Sequence, residues 1–266
     1  MVKKTSKKLS LAIACSLLFF LLLPLTQATQ ETCAVYFTGV GCPACAKEDP
    51  IILDELPKSE PNFVIIEYEI YIERENGYMV FEYDDSYGSG FSIPLIIFGK
   101  EDFSVGAGAV RQHAKKAIEK GPNDCPLADG SSVDFADLNI TTLPGKPKIW
   151  KAERILIKTG EGGDSELLKE LLLSEDLSSI LEKTEYKKIV PLAVQLSGKS
   201  VKFENAIELD GWIFQWGKEG NEIEKKETEG TEGTIYWGRI FMIIIVVIIV
   251  ILIFYLAKKK QKKKKK

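Results

Sequence analysis

The sequence predicts an α/β protein with a C-terminal small α+β extension and a single transmembrane helix. Between residues 33 and 120, apolar runs and helical patterns follow one another in the order β-α-β-α-β-β-α, which is typical of an α/β domain. Residues 127–217 carry shorter apolar runs and two leucine-rich stretches, which indicates a smaller α+β unit. Residues 240–257 are uncharged and apolar, close to the lower length limit for a bilayer span.

The first domain is predicted to cover residues 29–126. Its opening strand ends at a loop in which Gly39 and Gly41 give the chain freedom to bend. The predicted strands are 33–37, 63–71, 95–98 and 103–105, and the predicted helices are 46–56, 78–87 and 106–120.

The extension, residues 127–217, is predicted to pack on the first domain or to form a small domain beside it. Trp212, Phe214 and Trp216 alternate along one strand, so their rings should share one face. The other predicted elements are a strand over 149–158, helices over 164–173 and 177–181, and a hairpin of 189–196 with 201–203.

Both ends of the chain predict a membrane protein. Lysines followed by a long apolar run favour a signal peptide over 1–28, with an uncleaved anchor as the alternative. A charged tether, 218–239, leads to the transmembrane helix at 240–257, and the lysine-rich tail 258–266 favours a cytoplasmic C-terminus. We therefore expect a single-pass protein of the cell membrane, with its N-terminal domain outside the cytoplasm.

The charge distribution argues against nucleic acid as a partner. Four lysines precede the first apolar run and eight follow the last one, and the rest of the chain carries 23 basic residues against 38 acidic ones. Such an acidic surface repels a phosphate backbone.

Cys42 and Cys45 form a C-x-x-C motif between the first strand and the first helix. A thiol at a helix N-terminus loses its proton more easily, and the thiolate is the nucleophile in disulfide exchange. The motif also occurs in zinc sites and structural bridges, but a zinc site would need two more Cys or His ligands. We expect catalysis by Cys42 and Cys45, with no metal and no cofactor.

The stretch Cys42-Pro43-Ala44-Cys45, followed by Pro50-Ile51-Ile52-Leu53-Asp54-Glu55, resembles the active-site helix of the thioredoxin superfamily, with its kinking proline. The segment Ser92-Ile93-Pro94-Leu95-Ile96-Ile97-Phe98 resembles the part of that family that carries a cis-proline. The resemblance covers about residues 33–120.

The resemblance implies a thioredoxin-like fold in which Pro94 is cis and the backbone of Ile93 binds substrate. It also implies that Cys42 attacks and Cys45 resolves the mixed disulfide. The chain departs from the family at Tyr36, where thioredoxins carry a buried acid, and at Ala44, where the oxidising relatives carry histidine.

The expected function is a membrane-anchored thiol-disulfide oxidoreductase that acts on exported proteins with thiols or disulfides, together with a membrane redox partner. The direction of electron flow stays open. The alternatives are a non-catalytic thioredoxin-fold adapter, or a copper-binding chaperone that uses the same cysteine pair.

Cys33 and Cys125 remain once the redox pair and the signal peptide are set aside. An even number of cysteines in an oxidising compartment favours a structural disulfide between them. Two unpaired thiols are the alternative, because the sequence alone does not give the distance between Cys33 and Cys125.

Overall fold

The computed structural model describes residues 30–218. The predicted signal peptide, the tether beyond Lys218, the transmembrane helix and the lysine-rich tail lie outside the described residues.

A nine-stranded mixed sheet forms the centre of the described part, in the order β4-β3-β1-β2-β7-β8-β13-β12-β9. Two small antiparallel pairs, β5-β6 and β10-β11, form separate two-stranded sheets. The strands are β1 Thr32–Thr38, β2 Phe63–Glu69, β3 Leu95–Gly99, β4 Asp102–Val105, β5 Cys125–Pro126, β6 Ser132–Val133, β7 Lys148–Lys151, β8 Arg154–Lys158, β9 Lys187–Ile189, β10 Val194–Gln195, β11 Ser200–Val201, β12 Phe203–Leu209 and β13 Trp212–Lys218.

Helices cover both faces of the sheet. The α-helices are α1 Leu56–Ser59, α2 Met79–Tyr87, α3 Ala109–Lys120, α4 Ser165–Leu173 and α5 Leu177–Leu181. A 3₁₀ helix, Cys45–Lys47, and a π-helical turn, Pro50–Glu55, lead into α1. The helix predicted over 46–56 is therefore a succession of three helical forms, and Pro50 begins the wider turn.

Strand β1 is buried throughout, and its side chains alternate between two hydrophobic cores. Cys33, Val35 and Phe37 face the core covered by α2 and α4. Ala34 and Tyr36 face the core covered by α3 and the helical segment after Cys45. This burial on two faces explains why β1 has a continuous apolar run.

The expected fold class, a thioredoxin-like fold with a C-terminal small α+β extension, is wrong for the described part, which is a mixed fold built on one nine-stranded sheet. Strand β2 pairs in parallel with β1 on one side and antiparallel with β7 on the other, so the two regions share one sheet. The buried Glu67 of β2 accepts hydrogen bonds from Lys148 Nζ at 2.9 Å and Trp150 Nε1 at 2.5 Å. The carboxylate thus finds its partners on β7, which ties the two regions together.

Two predicted single strands are hairpins. The 149–158 strand turns at Ala152, which has a φ of 50°, to give β7 and β8, and the 206–216 strand turns at Gly211, with a φ of 70°, to give β12 and β13. The Ala152 turn carries neither glycine nor proline, so the usual turn signal is missing there.

The expectation of a single-pass membrane protein is also contradicted. Between residues 30 and 218, no helix is both long and apolar enough to cross a membrane. The 240–257 stretch, on which that expectation depended, lies outside the described residues.

Candidate redox site

Cys42 and Cys45 lie at the junction between β1 and the first helical segment. Strand β1 ends at Thr38, and the positive φ of Gly41, 91°, turns the chain so that the 3₁₀ helix begins at Cys45. The two sulfurs are joined in a disulfide, with 5.2 Å between the Cα atoms. Cys42 is 7% exposed and Cys45 fully buried, so Cys42 is the more exposed residue of the pair.

Backbone groups of the helical segment point at Cys42. The N–H of Cys45 donates to Cys42 Sγ at 3.1 Å, and the N–H of Ala46 donates to the Cys42 carbonyl at 3.0 Å. A hydrogen bond to the charged form of a group favours that form. After reduction, the Cys45 N–H in this position would therefore stabilise a thiolate at Cys42.

The buried carboxylate of Asp49 lies one turn beyond Cys45. It accepts hydrogen bonds from Tyr36 Oη at 2.8 Å and Thr38 Oγ1 at 2.7 Å, and its second oxygen accepts from the Ser197 N–H at 2.8 Å. Burial raises the pKa of Asp49 from 3.8 to about 6, although these three hydrogen bonds oppose the rise. Asp49 therefore changes its charge close to neutral pH.

Tyr36 lies on β1, at the position where thioredoxins carry a buried acid. Burial, together with the neighbouring Asp49 carboxylate, raises the pKa of Tyr36, so its hydroxyl stays protonated and donates to Asp49. The buried acid of this site thus comes from the helical segment. Asp49 was not among the predicted site residues, although its place directly before Pro50 and the apolar run 51–53 was a usable signal.

The β10-β11 hairpin, which belongs to the region once expected as an extension, lies against the cysteine motif. Ser197 Oγ donates to the Cys42 carbonyl at 2.9 Å. Gly198, with a φ of 92°, approaches so closely that a Cβ there would lie 3.0 Å from the Ala46 carbonyl oxygen. No local feature of the sequence predicts this contact, because the hairpin and the motif are far apart along the chain.

Asp54 holds the hairpin and β13 to the helical segment. Its carboxylate pairs with Lys199 from the hairpin and with Lys218 at 3.0 Å. Burial alone would raise the pKa of Asp54, but the hydrogen bonds and charges of these lysines lower it to about 2. The aspartate therefore remains ionised at any physiological pH.

Glu69, at the end of β2, organises the loop that precedes Cys42. One carboxylate oxygen accepts from the N–H groups of Val40 and Tyr71, both at 2.9 Å. The other accepts from Ile72 at 2.7 Å and Glu73 at 2.9 Å. A single buried side chain thus fixes the loop that precedes Cys42 against the 71–73 segment. We call this loop, residues 39–41, the redox loop.

The predicted substrate-binding residues, Ile93 and Pro94, lie beside this loop. Strands β1 and β3 are antiparallel neighbours. Phe37 lies opposite Leu95, which brings the start of β3 next to the end of β1. A Cβ on Gly39 would lie 3.0 Å from Ile93 Cδ1, and the Ile93–Pro94 peptide bond is cis.

Cys33 and Cys125 are joined by a second disulfide, with 4.8 Å between the Cα atoms. Cys33 faces the core that contains Val35 and Phe37, whereas Tyr36 and the redox helix lie on the opposite face of the sheet. The core that contains Cys33 and Cys125 does not include Cys42 or Cys45. Within residues 30–218, no group of three or more His, Cys, Asp or Glu side chains is arranged to hold a metal ion.

Comparison of the chain with protein-family models, with curated proteins and with solved structures found no match.

Proposed function

We propose that this protein is a thiol-disulfide oxidoreductase, related in design to the thioredoxin superfamily, that exchanges disulfides with client proteins through Cys42 and Cys45. One observation carries the proposal: a bonded cysteine pair, of which Cys42 is the more exposed member, followed one helical turn later by the buried carboxylate of Asp49, whose pKa is raised to about 6. Groups with shifted pKa values beside a nucleophile are typical of catalytic sites.

From the disulfide state, a client thiolate attacks Cys42 Sγ. A bond forms between the client sulfur and Cys42, the Cys42–Cys45 bond breaks, and Cys45 leaves as a thiolate that takes up a proton. A second client thiolate then attacks the client sulfur, which forms the client disulfide and releases Cys42 as a thiolate. Two electrons pass from the client to the cysteine pair, and the reverse sequence reduces a client disulfide.

Asp49 is the residue to which we assign proton exchange with Cys45. Its pKa of about 6 suits a group that holds a proton when Cys45 leaves and accepts it when Cys45 attacks. Tyr36 and Thr38 hold one carboxylate oxygen by hydrogen bonds, so the orientation of the carboxyl is fixed. The Ser197 N–H on the other oxygen connects Asp49 to the hairpin that contacts Cys42.

Turnover of a protein disulfide tests the function. The full chain, with dithiothreitol as the dithiol reductant, should reduce a protein disulfide faster than dithiothreitol alone, and Cys42→Ser should lose this acceleration. A Cys33→Ser/Cys125→Ser variant is the matched control, because it removes two cysteines from a core that does not include Cys42 or Cys45 and should retain the rate. If the wild type accelerates neither reduction by dithiothreitol nor oxidation of a reduced client, the proposal is wrong.

A further inference from the structure

Exposed aromatic side chains are concentrated in one region beside the redox loop. Of the nine large apolar side chains exposed in the described part, five lie between residues 71 and 91, which marks this region as unusual. We call these five the aromatic patch: Tyr71 (52% exposed), Ile72 (59%), Tyr78 (50%), Phe81 (54%) and Phe91 (60%). Contiguous exposed apolar surface of this kind usually marks a binding site.

The aromatic patch is continuous with the redox site. A Cβ on Gly39 would lie 2.8 Å from the Tyr71 ring and 3.0 Å from Ile93 Cδ1, so both side chains lie against the redox loop. Phe91 precedes Ile93 by two residues, and its ring centroid lies 5.3 Å from that of Phe81. Tyr78 lies one helical turn before Phe81. The patch therefore extends outward from the loop that carries Cys42.

The rim of the aromatic patch is acidic. Between residues 71 and 91 the only basic residue is Arg74, and the acidic residues are Glu73, Glu75, Glu82, Asp84 and Asp85. Lys146 pairs with Glu73 and Glu75, at 4.0 and 3.1 Å, whereas Glu82 and Asp85 are exposed on α2 beside Phe81. A partner with basic groups is favoured at such a rim.

We propose that the aromatic patch binds an extended segment of the client polypeptide in which apolar and basic residues flank the reacting cysteine. This inference rests on the proposed oxidoreductase function, because the client must place its sulfur at Cys42 while its neighbouring residues cover the patch. The buried anchors of such a contact would be Phe81 and Phe91, with Glu82 and Asp85 facing the basic residues.

The test compares two short peptides of equal length, each with a central cysteine in a mixed disulfide with glutathione. One carries leucine, phenylalanine and lysine beside the cysteine, and the other carries serine and glutamate. Rates of exchange with the reduced full chain are measured for both peptides and for glutathione disulfide. The wild type should prefer the first peptide, and Phe81→Ser/Phe91→Ser should lower that preference about tenfold with the glutathione disulfide rate retained.

Two further variants keep the test decisive. Tyr186→Ser removes an exposed aromatic residue just before β9, at the far edge of the sheet, and should leave the preference unchanged. Glu82→Lys/Asp85→Lys changes only exposed side chains and should move the preference toward the glutamate-containing peptide.

The results that would contradict the oxidoreductase function differ from those that would contradict only the client-binding role. A wild type that is inactive with glutathione disulfide as well as with both peptides contradicts the oxidoreductase function itself. An active wild type that treats the two peptides alike, or whose preference survives both patch variants, overturns the client-binding role alone. A concentration-dependent dimer that Phe81→Ser/Phe91→Ser converts to a monomer would assign the patch to a second copy of this chain and would also overturn it.

Discussion

The hydroxyl of Ser197 donates a hydrogen bond of 2.9 Å to the carbonyl of Cys42, although 155 positions separate the two residues in the sequence. The same residue donates its backbone N–H to Asp49 at 2.8 Å. The hairpin of the C-terminal half is thus part of the proposed redox site, in contact with both Cys42 and the buried Asp49.

Ser197→Ala should make the Cys42–Cys45 disulfide easier to reduce. The Ser197 hydrogen bond is present in the disulfide state, and its loss should destabilise that state by about 1 kcal/mol, which corresponds to about a fivefold shift of the equilibrium with dithiothreitol. Ser200→Ala is the matched control, because its hydroxyl bonds only Gln195 within the same hairpin. Equal equilibrium constants for the two variants would show that Ser197 stabilises both redox states alike.

Cys45→Ser should trap client proteins in mixed disulfides. Cys42 is the more exposed residue of the pair, so it should form the intermediate, and the variant lacks the thiol that resolves it. Non-reducing gels followed by mass spectrometry would identify the trapped peptides. If the Cys42→Ser variant formed stable mixed disulfides and Cys45→Ser did not, the assigned roles of the two cysteines would be reversed.

Asp49 should make the stability of the protein depend on pH. Its pKa is about 6 in the folded protein against an ordinary 3.8. Folding therefore favours the neutral carboxyl, and this contribution is present below pH 3.8 and is lost as pH rises through 6. The free energy of unfolding should fall by about 3 kcal/mol across this window relative to Asp49→Asn.

Urea unfolding at several pH values between 4 and 7 measures this difference, with the exposed Asp85→Asn as the control for surface charge. Parallel pH profiles for wild type and Asp49→Asn would show that the buried carboxyl does not titrate in this range.

Glu69→Gln should destabilise the protein and loosen the redox loop. The carboxylate accepts four backbone hydrogen bonds, two on each oxygen, and a glutamine amide would present a donor to one of those pairs. We expect a loss of about 3 kcal/mol in the free energy of unfolding, because two bonds to a charged group disappear and their N–H groups stay unpaired. Glu82→Gln, at an exposed position of α2, should change stability by less than about 0.5 kcal/mol in the same denaturant experiment.

The Cys33–Cys125 disulfide should contribute stability without affecting redox chemistry. It closes a loop of 92 residues, so Cys33→Ala/Cys125→Ala should lower the free energy of unfolding by about 4 kcal/mol in the chain-entropy model. The equilibrium of Cys42–Cys45 with dithiothreitol should stay at the wild-type value, because Cys33 and Cys125 pack in a core that does not include Cys42 or Cys45. A shift in that equilibrium would reveal coupling across β1.

The parts of the site that the sequence predicted are those specified by neighbouring residues. A buried run followed by glycines and C-x-x-C predicts β1, its loop and a helical segment, because each signal is local. The contact of Ser197 with Cys42 and the pairing of β2 with β7 depend on residues far apart in the chain, and no periodicity encodes them. The turn at Ala152 was missed because a positive φ at alanine has no sequence signal.

The pairing of β2 with β7 has a consequence for synthesis of the chain. Until residues 148–151 have emerged from the ribosome, β2 presents an unpaired edge, and Glu67 lacks both Lys148 and Trp150. Exposed strand edges are templates for pairing with other chains, so this stage of biosynthesis is vulnerable to aggregation. A protein truncated after residue 126 would keep that edge permanently, and expression of the cysteine-bearing half alone should yield insoluble material.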